Sequence, residues 1–123
     1  MSLRDTNSIE IWRGKSLVTG DPIVVLLAGL RRSDHRTTGA MLQTYILHRD
    51  QDPNDAICPP QALAIWWSWR MGTIAPSSIT EIKTRIQDRK VRIGTYGDPA
   101  AVPARVWTAL IRHTAGHTGY THQ

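Results

Sequence analysis

The sequence predicts a small α/β domain in which a mostly parallel sheet is flanked by helices. Three observations carry that prediction. Residues 23–29, Ile-Val-Val-Leu-Leu-Ala-Gly, form an unbroken apolar run rich in β-branched residues. Such a run suits a strand buried on both faces, as in a parallel sheet covered by helices. Two more strand patterns, over 41–47 and 90–96, are separated by two helix patterns. A third helix pattern follows the last strand, and this alternation in the second half is the signature of parallel pairing.

The elements follow in chain order. Ile9-Glu10-Ile11-Trp12 alternates and reads as a short edge strand. Gly14 to Gly20 reads as a loop, and Pro22 opens the apolar run. Residues 31–39 are polar and end in Gly39, which makes them a loop. Asp50 to Pro60 holds Asp52, Pro53, Asn54, Asp55 and the tandem Pro59-Pro60, all turn formers. Pro60 suits the first position of a helix, predicted over 61–71 and stopped by Gly72. A second amphipathic helix is predicted over 78–89, with Ser78 and Glu81 spaced as a capping box and Ile79, Ile82 and Ile86 inward. The strand at 90–96 ends in the turn Gly97-Asp98-Pro99. The last helix, 103–115, stops at Gly116, and Gly119 to His122 reads as a short terminal strand or tail.

The chain has 123 residues, one cysteine, five tryptophans, no phenylalanine and a formal charge of +5. The length fits one domain over 1–123. One cysteine excludes an internal disulfide and a four-cysteine zinc site. No apolar run approaches the ~20 residues of a membrane span, and the N-terminal residues lack a signal-peptide pattern. A cytoplasmic protein is expected. The positive surplus is concentrated in two places, Arg31-Arg32 with Arg36, and Lys83, Arg85, Arg89 and Lys90. That distribution points to contact with nucleic acid or a nucleoprotein, and the plainer reading is a solvated basic surface.

Three constellations bear on chemistry. Trp66-Trp67-x-Trp69-Arg70 lies on the first helix, where successive side chains point about 100° apart, so the tryptophans cannot all face one core. Tryptophan beside arginine is a frequent binding hot spot, while core filling in a chain without phenylalanine is the plainer reading. Arg92 to Pro99 joins a strand end to a helix start, and sites in α/β sheets lie at the carboxyl ends of strands. Tyr96 and Asp98 are the candidate contacts there, with a turn capped by Asp98 as the plainer reading. Third, His113, His117 and His122 crowd the C-terminal residues without a nearby acidic partner, so no metal site is expected. Nothing places a base beside Cys58, and no catalytic residue or cofactor is assigned.

Several of these stretches resemble a known family. Ile9-Glu-Ile-Trp12, Thr19-Gly-Asp-Pro-Ile-Val-Val-Leu-Leu-Ala-Gly29, Thr38-Gly39 with Met41-Leu-Gln-Thr-Tyr-Ile46, Val91 to Pro103, and Gly116 to Gln123 look like uncharacterised phage and plasmid proteins akin to the phage gene-product-88-type proteins. Some of these look distantly like radical-SAM-type half barrels. The family carries a cysteine cluster between the second strand and the tryptophan helix, where this chain reads Asp55-Ala-Ile-Cys58-Pro59-Pro60. Its Asn-x-Lys-Thr-Gly reads His35-Arg36-Thr37-Thr38-Gly39 here, and relatives continue into a second half. The resemblance therefore implies a shortened scaffold without the family's cluster chemistry.

Together these features predict a small basic binding protein of a mobile element, non-enzymatic and anti-CRISPR-like, that inhibits a host protein or nucleoprotein complex. Direct nucleic-acid binding is the alternative, and a residual enzyme with its site at Gly94–Pro99 is the second. A sheet edge left open also predicts self-association as a homodimer.

Overall fold

A computed structural model describes residues 7–31, 41–50 and 59–119. These form a single small α/β domain around one five-stranded sheet, with strands in the spatial order β1-β2-β3-β4-β5. The strands are β1 (Ser8–Lys15), β2 (Pro22–Ala28), β3 (Leu42–His48), β4 (Lys90–Tyr96) and β5 (Gly116–Thr118). The helices are α1 (Pro60–Arg70), α2 (Lys83–Ile86) and α3 (Ala104–Arg112), with 3-10 turns at Thr80–Ile82 and Pro99–Ala101. No helix among the described residues is long and apolar enough to cross a membrane.

The expectation of a mostly parallel sheet is corrected. β1 pairs with β2, and β2 with β3, in antiparallel register along nearly their whole lengths. Only the shorter β3–β4 and β4–β5 ladders are parallel. The apolar run of β2 misled because double-sided burial depends on which faces are covered, not on strand direction. Ile23, Val25 and Leu27 point to one core cluster, and Val24, Leu26 and Ala28 to the other. The first cluster lies under α2 and α3, with Ile82, Ile86, Val106, Trp107 and Leu110. The second lies under α1, with Ala62 and Trp66.

The chain changes face by going round the β1 margin. Ile74 still packs in the α1 cluster, whereas Ile79 packs in the α2–α3 cluster. Between them residues 75–77 run beside β1: the Glu10 N–H donates to the Ala75 carbonyl (3.0 Å), and the Ser77 N–H donates to the Glu10 carbonyl (3.0 Å). The predicted helix over 78–89 is shorter than expected. Ile82 adopts φ −110°, ψ 8° between the 3-10 turn and α2, which divides the segment. Ser78 and Glu81 still form their exchange, with the Glu81 N–H donating to Ser78 Oγ (3.2 Å) and that hydroxyl donating to Glu81 Oε1 (3.0 Å). The last helix is shorter than its predicted bounds, at Ala104–Arg112, and a strand forms at Gly116–Thr118, while residues 120–122 of the expected terminal strand lie outside the described residues.

The β3–β4 ladder carries an irregularity. Gln43 pairs with Arg92 but Tyr45 pairs with Tyr96, so Ile93, Gly94 and Thr95 face Thr44 alone. Thr44 is fully buried and holds the bulge together. Its Oγ1 accepts from the Gly94 N–H (2.7 Å) and donates to the Arg92 carbonyl (2.8 Å). Gly94 sits at φ +75°, with Pro99 where a Cβ would fall (2.7 Å), so the bulge needs glycine.

Candidate functional site

A β-bulge in β1 builds the first constellation. Glu10 pairs with Leu26 but Trp12 pairs with Val25, so Ile11 is the extra residue. Without it, Glu10 and Trp12 would share a face. With it, Ile11 and Trp12 both pack on the α2–α3 cluster, and Arg13 comes onto the face of Glu10 under α1. Glu10 is 7% exposed. Its Oε1 accepts from the Arg13 guanidinium (2.7 Å) and from Trp69 Nε1 (2.6 Å). The guanidinium lies over the Trp69 ring, 5.5 Å from its centroid. A buried carboxylate thus fixes an aromatic ring and a cation against each other, which satisfies its own charge.

The tryptophan helix separates its candidates. Trp66 is corrected to a core residue: it is 3% exposed, and its Nε1 donates to the His48 carbonyl (3.0 Å). Trp67 meets Trp66 edge-on, with centroids 5.0 Å apart, and remains 43% exposed. Arg70 and Met71 are exposed three and four residues further on, so Trp67, Arg70 and Met71 share the outward side of α1. Beside them Glu10, Arg13, Trp69, Arg70 and Pro76 line a hollow of about 460 Å³. Glu10 and Arg13 were not legible as site residues. The alternation at 9–12 puts Glu10 toward solvent, and nothing local signals a partner 59 residues away.

The basic candidates divide as well. Arg89 is corrected from surface to core: it is 1% exposed, and its guanidinium donates to the carbonyls of Gly29 and Leu30. Lys83, Arg85 and Lys90 are exposed on or beside α2, and Arg31 is exposed after β2. Leu30 and Arg85 share a shallow hollow. This cluster is separated from Trp67 and Arg70 by the sheet. Arg32, Arg36, Cys58 and His122 lie outside the described residues.

The strand ends form the second constellation. Ser16, Val18, Thr19, Ile23, Ile46, His48, Tyr96, Gly97, Asp98 and Ala101 line a hollow of about 250 Å³. Tyr96 and Asp98 were expected there; Ser16 and His48 were not, because only the antiparallel turn brings residues 16–21 to the carboxyl ends of β3 and β4. The plainer reading of Asp98 holds alongside: its Oδ1 accepts from the Ala100 N–H (2.9 Å) and caps the 3-10 turn. Ser16 Oγ accepts from the N–H groups of Val18 and Thr19 (both 3.1 Å), and the Leu17 N–H donates to the Ala101 carbonyl (2.9 Å). The rim is therefore tied at both sides. Gly97, at φ +94°, lies so close to Ile46 that a Cβ would fall 2.6 Å from its carbonyl oxygen.

Among the described residues no cluster of three or more histidine, cysteine or acidic side chains forms a metal site. His113 ends α3 and His117 lies in β5. Comparison with family models, with curated proteins and with solved structures returns no match to this chain.

Proposed function

We propose that this is a non-enzymatic binding protein that grips an acidic protein surface through the outer side of α1 and the adjoining end of β1. The observation that carries the reading is the Glu10–Arg13–Trp69 lock beside exposed Trp67 and Arg70. The lock pre-organises a ring and a guanidinium, so little side-chain freedom is lost on binding. Trp67 and Met71 supply apolar area, and Arg70 and Arg13 supply donors for carboxylates. With Glu10 engaged inside, the patch has a positive surplus.

A protein partner is favoured over bare nucleic acid by the division of the candidates. Stacking on single strands needs aromatic side chains interleaved with the basic track. Here the exposed tryptophan, Trp67, lies on the α1 side, whereas Lys83, Arg85 and Lys90 lie on the α2 side, where Trp107 is buried and Trp12 packs against the core. A host machine as the partner, inhibited in the anti-CRISPR manner, is the biological role proposed for this grip.

The test compares the wild type with a Trp67→Ala/Arg70→Glu variant. Both are used to capture partners from host extract, and any captured protein is then purified and its binding reconstituted. A purified partner that binds the wild type and is lost by the variant, by about 2 kcal/mol or more, supports the reading. Tight binding to single-stranded oligonucleotides with steep salt dependence, and no protein partner, overturns it.

A further inference from the structure

The strand-end hollow is distinct from the α1 surface and has different chemistry. Its walls are largely apolar, formed by Val18, Ile23, Ile46 and Ala101. Its ionisable side chains are Asp98, His48 and Tyr96, and among the described residues no lysine or arginine lines it, in a chain of net charge +5. Arg49, next to His48 in sequence, reaches instead to the Gly14 carbonyl (3.5 Å).

Asp98 uses Oδ1 for the Ala100 N–H, and among the described residues no basic side chain forms an ion pair with it. Its carboxylate is exposed at the edge of an apolar hollow whose rim is fixed by the Ser16 turn and by Leu17 on Ala101. A concave apolar site with one convergent charge has the form of a small-ligand pocket.

We propose that this hollow binds a small organic cation, a primary ammonium on a compact apolar body. The apolar body lies against Val18, Ile23 and Ile46. The ammonium donates to the Asp98 carboxylate, a charge-assisted hydrogen bond in a site sheltered on one side. At about 250 Å³ the space suits a ligand the size of a single substituted ring. This inference does not depend on the α1 reading.

The experiment titrates the intact chain with benzylamine, benzyl alcohol and benzoate, which share an apolar body and differ in charge. Amide shifts are followed by NMR and affinity by calorimetry. Benzylamine is expected to shift the amides of Val18, Thr19, His48 and Gly97, and to bind at least tenfold more tightly than benzoate. Asp98→Asn keeps an oxygen for the Ala100 N–H while removing the charge, and should weaken benzylamine about tenfold. Val18→Ser, at a side chain 62% exposed, should weaken benzylamine and benzyl alcohol alike without disturbing the fold. Benzoate binding as tightly as benzylamine overturns the proposal. So does unchanged benzylamine affinity in Asp98→Asn, or absence of shifts at these amides in the folded wild type.

Discussion

The two halves of the sheet are built differently. From β1 to β3 the ladders are antiparallel, long and, on β2, free of any irregularity but the single bulge opposite it. Every residue of β2 from Ile23 to Leu27 is essentially inaccessible, and each alternates cleanly between the two cores. From β3 to β5 the ladders are short and parallel, and β4 is distorted around Gly94. The first half is held by apolar burial and needs few special residues. The second is held by specific polar and backbone contacts, through Thr44, Gly94, Gly97 and the Asp98 cap. The strand-end hollow lies where the halves meet, with Ser16, Val18, Thr19 and Ile23 from the first and Tyr96, Gly97 and Asp98 from the second, so the irregular end of β4 shapes one of its walls.

The sharpest way to test that contrast is a pair of glycine substitutions. Gly97→Ala must adopt φ +94° and also displace Ile46, whereas Gly20→Ala at φ +80° meets nothing within 4 Å. Gly97→Ala should lose about 3 kcal/mol and Gly20→Ala about 1 kcal/mol in denaturant unfolding. Equal losses would show that the strand ends are not closely packed. A smaller effect comes from Thr44→Val, which keeps shape but takes its partner from the Gly94 N–H and the shorter of two donors from the Arg92 carbonyl. A loss of about 2 kcal/mol is expected. Hydrogen exchange should quicken at Gly94 while β2 amides stay protected; uniform quickening would mean that the halves do not differ.

The smallest effect depends on pH. Burial pushes the Tyr45 phenol above its ordinary 10.0. Below that pH the phenol is neutral in both states and costs nothing. As pH rises through it, the unfolded chain ionises first, so unfolding is favoured and stability falls. Tyr45→Phe should show a shallower decline above pH 10.0 in urea midpoints, and an identical slope would place Tyr45 in contact with water.

How much was legible in the sequence follows the same division. β2, α1 and the span of β4 were readable because they depend on local pattern: an apolar run, a proline start, a strict alternation. Strand direction was not, because it is set by how short connections fold back, and the six residues between Lys15 and Pro22 allow only a turn. Asp98 and Tyr96 were found through the glycine-rich strand end. Arg89 was misplaced because the carbonyls that hold its guanidinium belong to Gly29 and Leu30, sixty residues away in the chain for Gly29. The burial of Trp66 was hidden for a similar reason, since its indole N–H is claimed by the His48 carbonyl. Arg13 escaped notice because one inserted residue moved it onto the face of Glu10, and a bulge has no signature in so short a strand; Glu10 escaped because that face is covered by α1.

The strap at residues 75–77 has a consequence for behaviour at high concentration. Cross-β fibres grow when an unpaired strand margin offers a run of free amide and carbonyl groups to the next chain. On β1 the outward amide and carbonyl of Glu10 are already taken by Ala75 and Ser77, and Pro76 between them has no N–H to offer. On the far margin, β5 presents three residues among those described. The strap that carries the chain from one core to the other therefore also interrupts the template on which a fibre would nucleate.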